Sequence, residues 1–110
     1  MNIDEKSEIV STLIKLAENS KLNNEQKDRI VEILDNMDII TETQRERFIM
    51  YYGLNTNGLD FRTLDKIARI YECSTSAVRF SVVTVKQKLV RLEDEFKIII
   101  DIVKECTENN

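Results

Sequence analysis

The feature that most constrains this chain is its near lack of residues that break helices. The 110 residues include no proline, and the two glycines are Gly53 and Gly58. Proline and glycine are the residues that most destabilise a helix interior. We therefore predict an all-α fold, and the length of the chain suits one ordinary domain.

Residues 1–40 are predicted to form an N-terminal helical hairpin that serves packing or oligomerisation. Residues 4–19 carry a wide apolar stripe at helical spacing, which predicts a first helix that packs against other elements. Asn23 precedes Gln26 by three residues, the spacing of a capping box, and is expected to open the second helix.

Residues 41–92 are predicted to contain a third helix and a helix-turn-helix. Thr41 is expected to open the third helix, which ends near Gly53 and is followed by a loop rich in asparagine and glycine. Thr63 is suited to cap a fourth helix, and Ser74 a fifth. Two short helices joined by a tight turn have the layout of a helix-turn-helix.

The fifth and last predicted helix is long and heptad-patterned, running unbroken from Ser74 to about Glu105. Its apolar residues recur in alternating steps of three and four: Val78, Val82, Val85, Leu89, Leu92, Phe96, Ile99 and Val103. This spacing is typical of a coiled-coil seam and equally of a long helix buried against the first two helices. The stripe predicts oligomerisation through Leu89, Leu92, Phe96, Ile99 and Val103. Residues 93–110 would form a C-terminal extension of this helix with an acidic tail.

Charge is segregated along the chain, although the net charge is -4. Residues 41–92 carry nine lysines and arginines against five acidic residues, whereas residues 1–40 and 93–110 are both acidic. Phosphate attraction is local because charges beyond about 8 Å are largely screened at physiological salt. The basic segment therefore favours nucleic-acid binding despite the acidic total.

Catalytic and metal-binding residue types are scarce. The chain has no histidine, and Cys73 and Cys106 lack a CxxC spacing. Since histidine is the commonest general base near neutral pH and a frequent metal ligand, we expect no enzyme activity, no metal and no cofactor. The sequence shows neither a signal peptide nor an apolar run of about 20 residues, so we expect a cytoplasmic protein with free thiols and no membrane segment.

Two segments of residues 40–92 read ITETQRERFIMYYGL and TLDKIARIYECSTSAVRFSVVTVKQKLVRL. They resemble region 4 of the primary sigma factor family, a helix-turn-helix DNA-binding domain. The matches of most weight are Ile40-Thr41, Tyr52-Gly53-Leu54, Thr63-Leu64-Asp65, Ile67-Ala68, Ser74, Val78-Arg79 and Lys88-Leu89. The resemblance implies a helix that enters the DNA major groove.

Three departures from the family pattern fall on the fifth helix. Thr75-Ser76-Ala77 replaces a polar stretch with two arginines, and Phe80 replaces a glutamine. Ser81 stands where the family has a buried isoleucine, which predicts an inward face rotated toward Val82 and the heptad stripe.

The groove-facing side of the fifth helix is predicted opposite that stripe. Arg79 is suited to donate two hydrogen bonds to guanine O6 and N7. Thr75, Ser76 and Phe80 are suited to phosphates, base edges or a thymine methyl group. Packing against a partner protein is an equal alternative for Phe80 and Val83. The predicted DNA-binding residues are Arg62, Thr63, Lys66, Ser74, Thr75, Ser76, Arg79, Phe80 and Lys86.

The function predicted from these features is sequence-specific binding of double-stranded DNA by a homodimeric, non-enzymatic transcription regulator. The alternative is a protein-interaction module with a sigma-like fold that binds RNA polymerase or a sigma factor without reading DNA. Sigma region 4 contacts both promoter and polymerase, so the resemblance is compatible with either function.

Overall fold

The computed structural model describes residues 1–55 and 63–108 of the chain. These residues form six helices and no strand. The helices are α1 (Ile3–Glu18), α2 (Asn24–Asp35), α3 (Glu42–Tyr51), α4 (Leu64–Tyr71), α5 (Thr75–Leu89) and α6 (Phe96–Glu108). The prediction of an all-α fold is confirmed, and the prediction of five helices is wrong.

The predicted capping residues open four of these helices. Asn23 and Thr41 each form a complete capping box at the start of α2 and α3. The hydroxyls of Thr63 and Ser74 accept backbone hydrogen bonds from the third residues of α4 and α5. Helix starts were predictable because a cap depends on residues within one turn of each other.

The predicted long last helix is wrong, because the chain turns between Val90 and Glu95. An unbroken helix over residues 75–105 would be about 46 Å long at 1.5 Å per residue, whereas the longest dimension of the molecule is 39 Å. The turn brings α6 back to pack against α1. Lys6 of α1 stabilises the turn, because its Nζ atom donates a hydrogen bond to the Leu92 carbonyl oxygen at 2.6 Å.

The charges in the turn favour a break at this point. Glu93, Asp94 and Glu95 follow the C-terminal end of α5 and precede the first turn of α6. Carboxylates are unfavourable at the negative C-terminal end of a helix dipole and favourable at the positive N-terminal end. Two helices that meet here place the three carboxylates better than one continuous helix does.

One main core runs through all three predicted segments of the chain. Its buried side chains come from α1, α2, α3, α5 and α6, and they include Val10, Leu13, Ile14, Ile30, Leu34, Phe48, Val85, Leu89, Phe96, Ile99 and Ile102. Of the residues predicted for oligomerisation, Leu89, Phe96 and Ile99 are buried in this core, and Leu92 and Val103 pack against it. The heptad stripe is thus covered within a single chain, and a role in joining two chains stays a prediction.

None of the helices in the described ranges is long and apolar enough to cross a membrane.

Candidate nucleic-acid interface

The predicted helix-turn-helix falls on α4, a two-residue turn, the capping residue Ser74 and α5. Glu72 ends α4 in the left-handed conformation, with φ 51° and ψ 49°. This conformation reverses the chain and allows the Cys73 amide to donate to the Ala68 carbonyl at 3.0 Å. Ser74 then accepts a hydrogen bond from the Ala77 amide at 3.1 Å, so α5 begins one residue later.

A small apolar cluster joins α4 to the first turns of α5. Ile67, Ala68 and Val78 are buried together, separately from the main core. Met50 and Tyr51 of α3 pack against the cluster. We call this group the satellite cluster. It holds α4 against α3 and α5 with few buried side chains.

Arg47 of α3 adds a polar connection between α3 and the motif. Its Nη1 atom donates to Ser81 Oγ at 3.0 Å, and its Nη2 atom lies 3.6 Å from Cys73 Sγ. Its guanidinium carbon lies 4.8 Å from the centroid of the Tyr71 ring, a cation–π geometry. Arg47 therefore contacts α4, the turn and α5 at once.

This connection corrects the expected rotation of α5. Ser81 is 3% exposed and Val82 is also buried, so the inward face includes both residues. Ser81 satisfies its hydroxyl by donating to the Ala77 carbonyl at 3.2 Å and by accepting from Arg47. A buried hydroxyl is tolerated when it has such partners. Ser81 therefore lies on the inward face of α5 beside Val82.

Tyr71 connects α4 to α3 a second time. Its hydroxyl donates to Glu46 Oε2 at 2.6 Å. Burial, together with this hydrogen bond and the Glu46 charge, raises the pKa of the Tyr71 phenol well above its usual value of 10.0. The phenol therefore stays protonated and keeps donating over any physiological pH.

Side chains on the side of α5 away from the core form a continuous exposed surface. We call this surface the α5 outer face, and it consists of Ser76, Arg79, Phe80, Val83 and Gln87. Phe80 is 67% exposed and Val83 42% exposed. Thr75 and Lys86, two further predicted DNA-binding residues, lie at its edge and are half-buried. The structure thus brings five predicted residues, Thr75, Ser76, Arg79, Phe80 and Lys86, together on one helix.

The electrostatics of α5 are uniformly basic. The helix contains Arg79, Lys86 and Lys88 and no aspartate or glutamate. Within the described ranges, Arg79 forms no hydrogen bond or ion pair with its own chain, and its guanidinium is exposed to solvent. An exposed arginine without an intramolecular partner is free to donate to an external acceptor.

The remaining predicted DNA-binding residues lie on or beside α4. Thr63 and Ser74 use their hydroxyl oxygens to cap α4 and α5, and both residues stay exposed. Lys66 is exposed on the first turn of α4. Arg62 lies outside the described residues.

Two arginines of the basic segment serve the fold instead of the exposed surface. Arg45 donates from Nε to the Leu34 carbonyl at 2.8 Å, and the same atom lies 3.6 Å from an Asp35 carboxylate oxygen. Arg47 is occupied by the contacts described above. Sequence reasoning missed both roles because neither partner is close to its arginine in the chain, and a count of charges does not distinguish a bridging arginine from a free one.

Comparison of the chain with protein-family models, with curated proteins and with solved structures found no match.

Proposed function

We propose that this protein is a non-enzymatic transcription regulator that binds double-stranded DNA sequence-specifically, with α5 in the major groove. The observation that carries the proposal is the α5 outer face, which exposes Arg79 on a helix without a carboxylate. The resemblance of residues 40–92 to sigma region 4 supports the same use of this helix. A helix supported from behind by α3 and α4 is suited to enter a groove as a rigid body.

Each residue of the outer face has a proposed role set by its chemistry. Arg79 donates two hydrogen bonds to a guanine, and Phe80 contacts a thymine methyl group. Thr75 and Ser76 contact phosphates or base edges at the N-terminal end of α5, where free backbone amides also attract phosphate. Lys86 lies about 15 Å beyond Ser76 along the helix and reaches the DNA backbone.

The number of cations that reach phosphate determines how strongly this binding depends on salt. Each neutralised phosphate contributes a slope of about -0.9 to the dependence of log affinity on log salt. Two of the nine cations of residues 41–92, Arg45 and Arg47, are engaged by their own chain and are not available to phosphate. We therefore expect modest non-specific affinity and a specific complex that depends on base contacts.

The test is a selection of bound sequences from random duplex fragments, followed by affinity measurements on the recovered site. Replacing Arg79 by alanine should cost about 1–3 kcal/mol of binding free energy and relax preference at one guanine. Lys15→Ala is the matched control, because Lys15 is an exposed cation on α1 and its loss changes the net charge equally. Recovery of no preferred sequence, or equal effects of the two substitutions, would reject the proposal.

A homodimer is part of the proposal, since two-fold symmetry would place two α5 helices on related half-sites. A dimer joined through Leu89, Phe96 and Ile99 would require these side chains to leave the main core. A dimer that keeps the observed fold must use a different surface. Sedimentation equilibrium of the free chain, and any palindromy in the selected site, test this part.

A second candidate function is protein interaction through the same face of α5. The observation that favours it is the exposure of Phe80 and Val83, one helical turn apart. Large exposed apolar side chains that are close together often mark a protein contact. Binding of purified RNA polymerase or a sigma factor that is lost on Phe80→Ala, without any affinity for selected DNA, would favour this function over the first.

A further inference from the structure

A cleft of about 630 Å³ lies between α2, α3 and α4, away from the α5 outer face. Its size falls within the range of small-molecule sites, which is roughly 300–1,000 Å³. The apolar part of its wall comes from all three helices and from the residues after α3: Val31, Ile49, Met50, Leu54 and Ile70. None of these residues has a role in the proposed DNA contact.

Ile70 is the most exposed apolar side chain of this wall. It lies on α4 and is 48% exposed, although it is a large branched aliphatic side chain. Removing such a side chain from water is favourable. An apolar occupant of the cleft would bury the exposed part of Ile70 together with its neighbours.

The charged part of the wall is acidic, and Asn55 adds a neutral polar side chain. Asp28 of α2 and Glu46 of α3 both line the cleft, and no lysine or arginine is among its lining residues within the described part of the chain. Tyr71 also lines the cleft and donates its hydroxyl proton to Glu46. This hydrogen bond holds the Glu46 carboxylate beside the apolar wall and leaves oxygen lone pairs available for a further donor.

From this arrangement we propose that the cleft binds a small organic cation, with an apolar body against the aliphatic wall and an ammonium or guanidinium group beside Asp28 and Glu46. Charge complementarity selects this ligand class, since two carboxylates repel an anion and attract a cation more strongly than a neutral donor. Charge-assisted hydrogen bonds are about twice as strong as neutral ones. The proposal does not depend on DNA binding.

The experiment compares three probes of similar shape and different charge on the full chain. The probes are 2-phenylethylammonium, neutral 2-phenylethanol and anionic phenylacetate, and the observable is the NMR shift of labelled isoleucine and methionine methyl groups. We expect the methyl signals of Ile49, Met50 and Ile70 to saturate with the ammonium probe at a concentration about tenfold lower than with the alcohol. Phenylacetate should bind most weakly.

The variant Asp28→Asn with Glu46→Gln should remove the preference for the cation while leaving the binding of 2-phenylethanol unchanged. Its matched control is Asp101→Asn with Glu108→Gln, which removes the same two charges from exposed positions on α6. The control should keep the preference. If the first variant does not fold, the order of the three probes on the unsubstituted chain decides the question.

Several results would overturn the proposal. Equal binding of the alcohol and the ammonium probe would show an apolar cleft without charge selection. Failure of all three probes to shift these methyl signals would show that the cleft is not a small-molecule site. Shifts of Ile70 that grow with protein concentration alone would show that a second copy of the chain covers it.

Discussion

The main core and the satellite cluster differ in how they hold their helices. Phe48, Leu34 and Phe96 belong to an apolar core that joins five helices from both ends of the chain. Ile67 and Val78 belong to a cluster with few buried side chains, which is supplemented by the hydrogen bonds of α3 to Ser81 and Tyr71. The comparison indicates that apolar burial determines the global stability, whereas polar contacts have a larger share in positioning α4 and the turn that follows it.

The largest expected effect comes from removing a ring from the main core. Phe48 is 1% exposed, and Phe48→Ala should reduce the free energy of unfolding by about 3–5 kcal/mol. Phe80→Ala is the matched control, since Phe80 is on the exposed face of α5 and its loss should change stability by less than about 0.5 kcal/mol. Chemical denaturation measures both values, and similar losses would contradict the assignment of Phe80 to an exposed surface.

A smaller and more local effect is expected in the satellite cluster. Ile67→Ala removes the central side chain of that cluster and should cost about 2–4 kcal/mol. Because α4 contacts mainly α5 and α3, its amides should exchange with solvent faster than those of α1 in this variant. Hydrogen exchange measured residue by residue tests this difference. A uniform increase over all helices would show that the two regions unfold as one unit.

The polar connection between α3 and α5 is expected to contribute less again. In a double-mutant cycle with Arg47→Met and Ser81→Ala, we expect a coupling energy of about 1–2 kcal/mol, because their hydrogen bond joins a charged donor to a buried hydroxyl. The same cycle with Lys88→Met in place of Arg47→Met should give no coupling, since no hydrogen bond joins Lys88 to Ser81 within the described residues. A coupling energy near zero for the first cycle would show that the hydrogen bond between Arg47 and Ser81 does not stabilise the contact of α3 with α5.

The smallest effect concerns acid stability of the contact between α2 and α6. Hydrogen bonds from Arg29 and from Gln26 lower the pKa of Glu105 below its usual value of 4.5. Since the folded-state pKa is the lower one, the contribution to stability is complete above the unfolded-state pKa and is lost as the pH falls through the folded-state pKa. Glu105→Gln should therefore be less stable than the unsubstituted chain at pH 7, and the difference should shrink toward pH 3.

Urea unfolding at the two pH values measures this difference. Glu108→Gln, an exposed position on the same helix, should show no such pH-dependent difference. A difference for Glu105→Gln that stays constant with pH would show that the ion pair does not stabilise the fold.

Helix type and helix starts were predictable from residues close together in the chain. The lack of proline, the capping pairs such as Asn23 with Gln26, and the apolar spacing of α4 all act within one or two turns. The apolar spacing did not predict that the helix ends at Leu89 and that a new one begins at Phe96. The heptad spacing from Val78 to Val103 continues across the turn at residues 90–95, so the pattern alone does not distinguish one helix from two.

The candidate site shows the same division. The sequence pattern placed Arg79 and Phe80 on a face opposite the apolar stripe, and both residues are exposed there. It also grouped Arg45 and Arg47 with the other cations, whereas the fold directs them to Leu34 and to Ser81. The acidic cleft was not predicted, since its residues come from three different helices and its shape depends on how these helices pack.

The sequence by itself therefore determined the all-helical fold and the capped starts of α2, α3, α4 and α5. It did so because helix propensity, capping and periodicity are local interactions. The tertiary structure alone decided that α6 folds back onto α1, that the heptad stripe is covered within one chain, and that Arg45 and Arg47 are engaged by the described residues whereas Arg79 is not. These outcomes depend on which helix surfaces contact each other in the folded chain, and the linear pattern of residues does not specify those contacts.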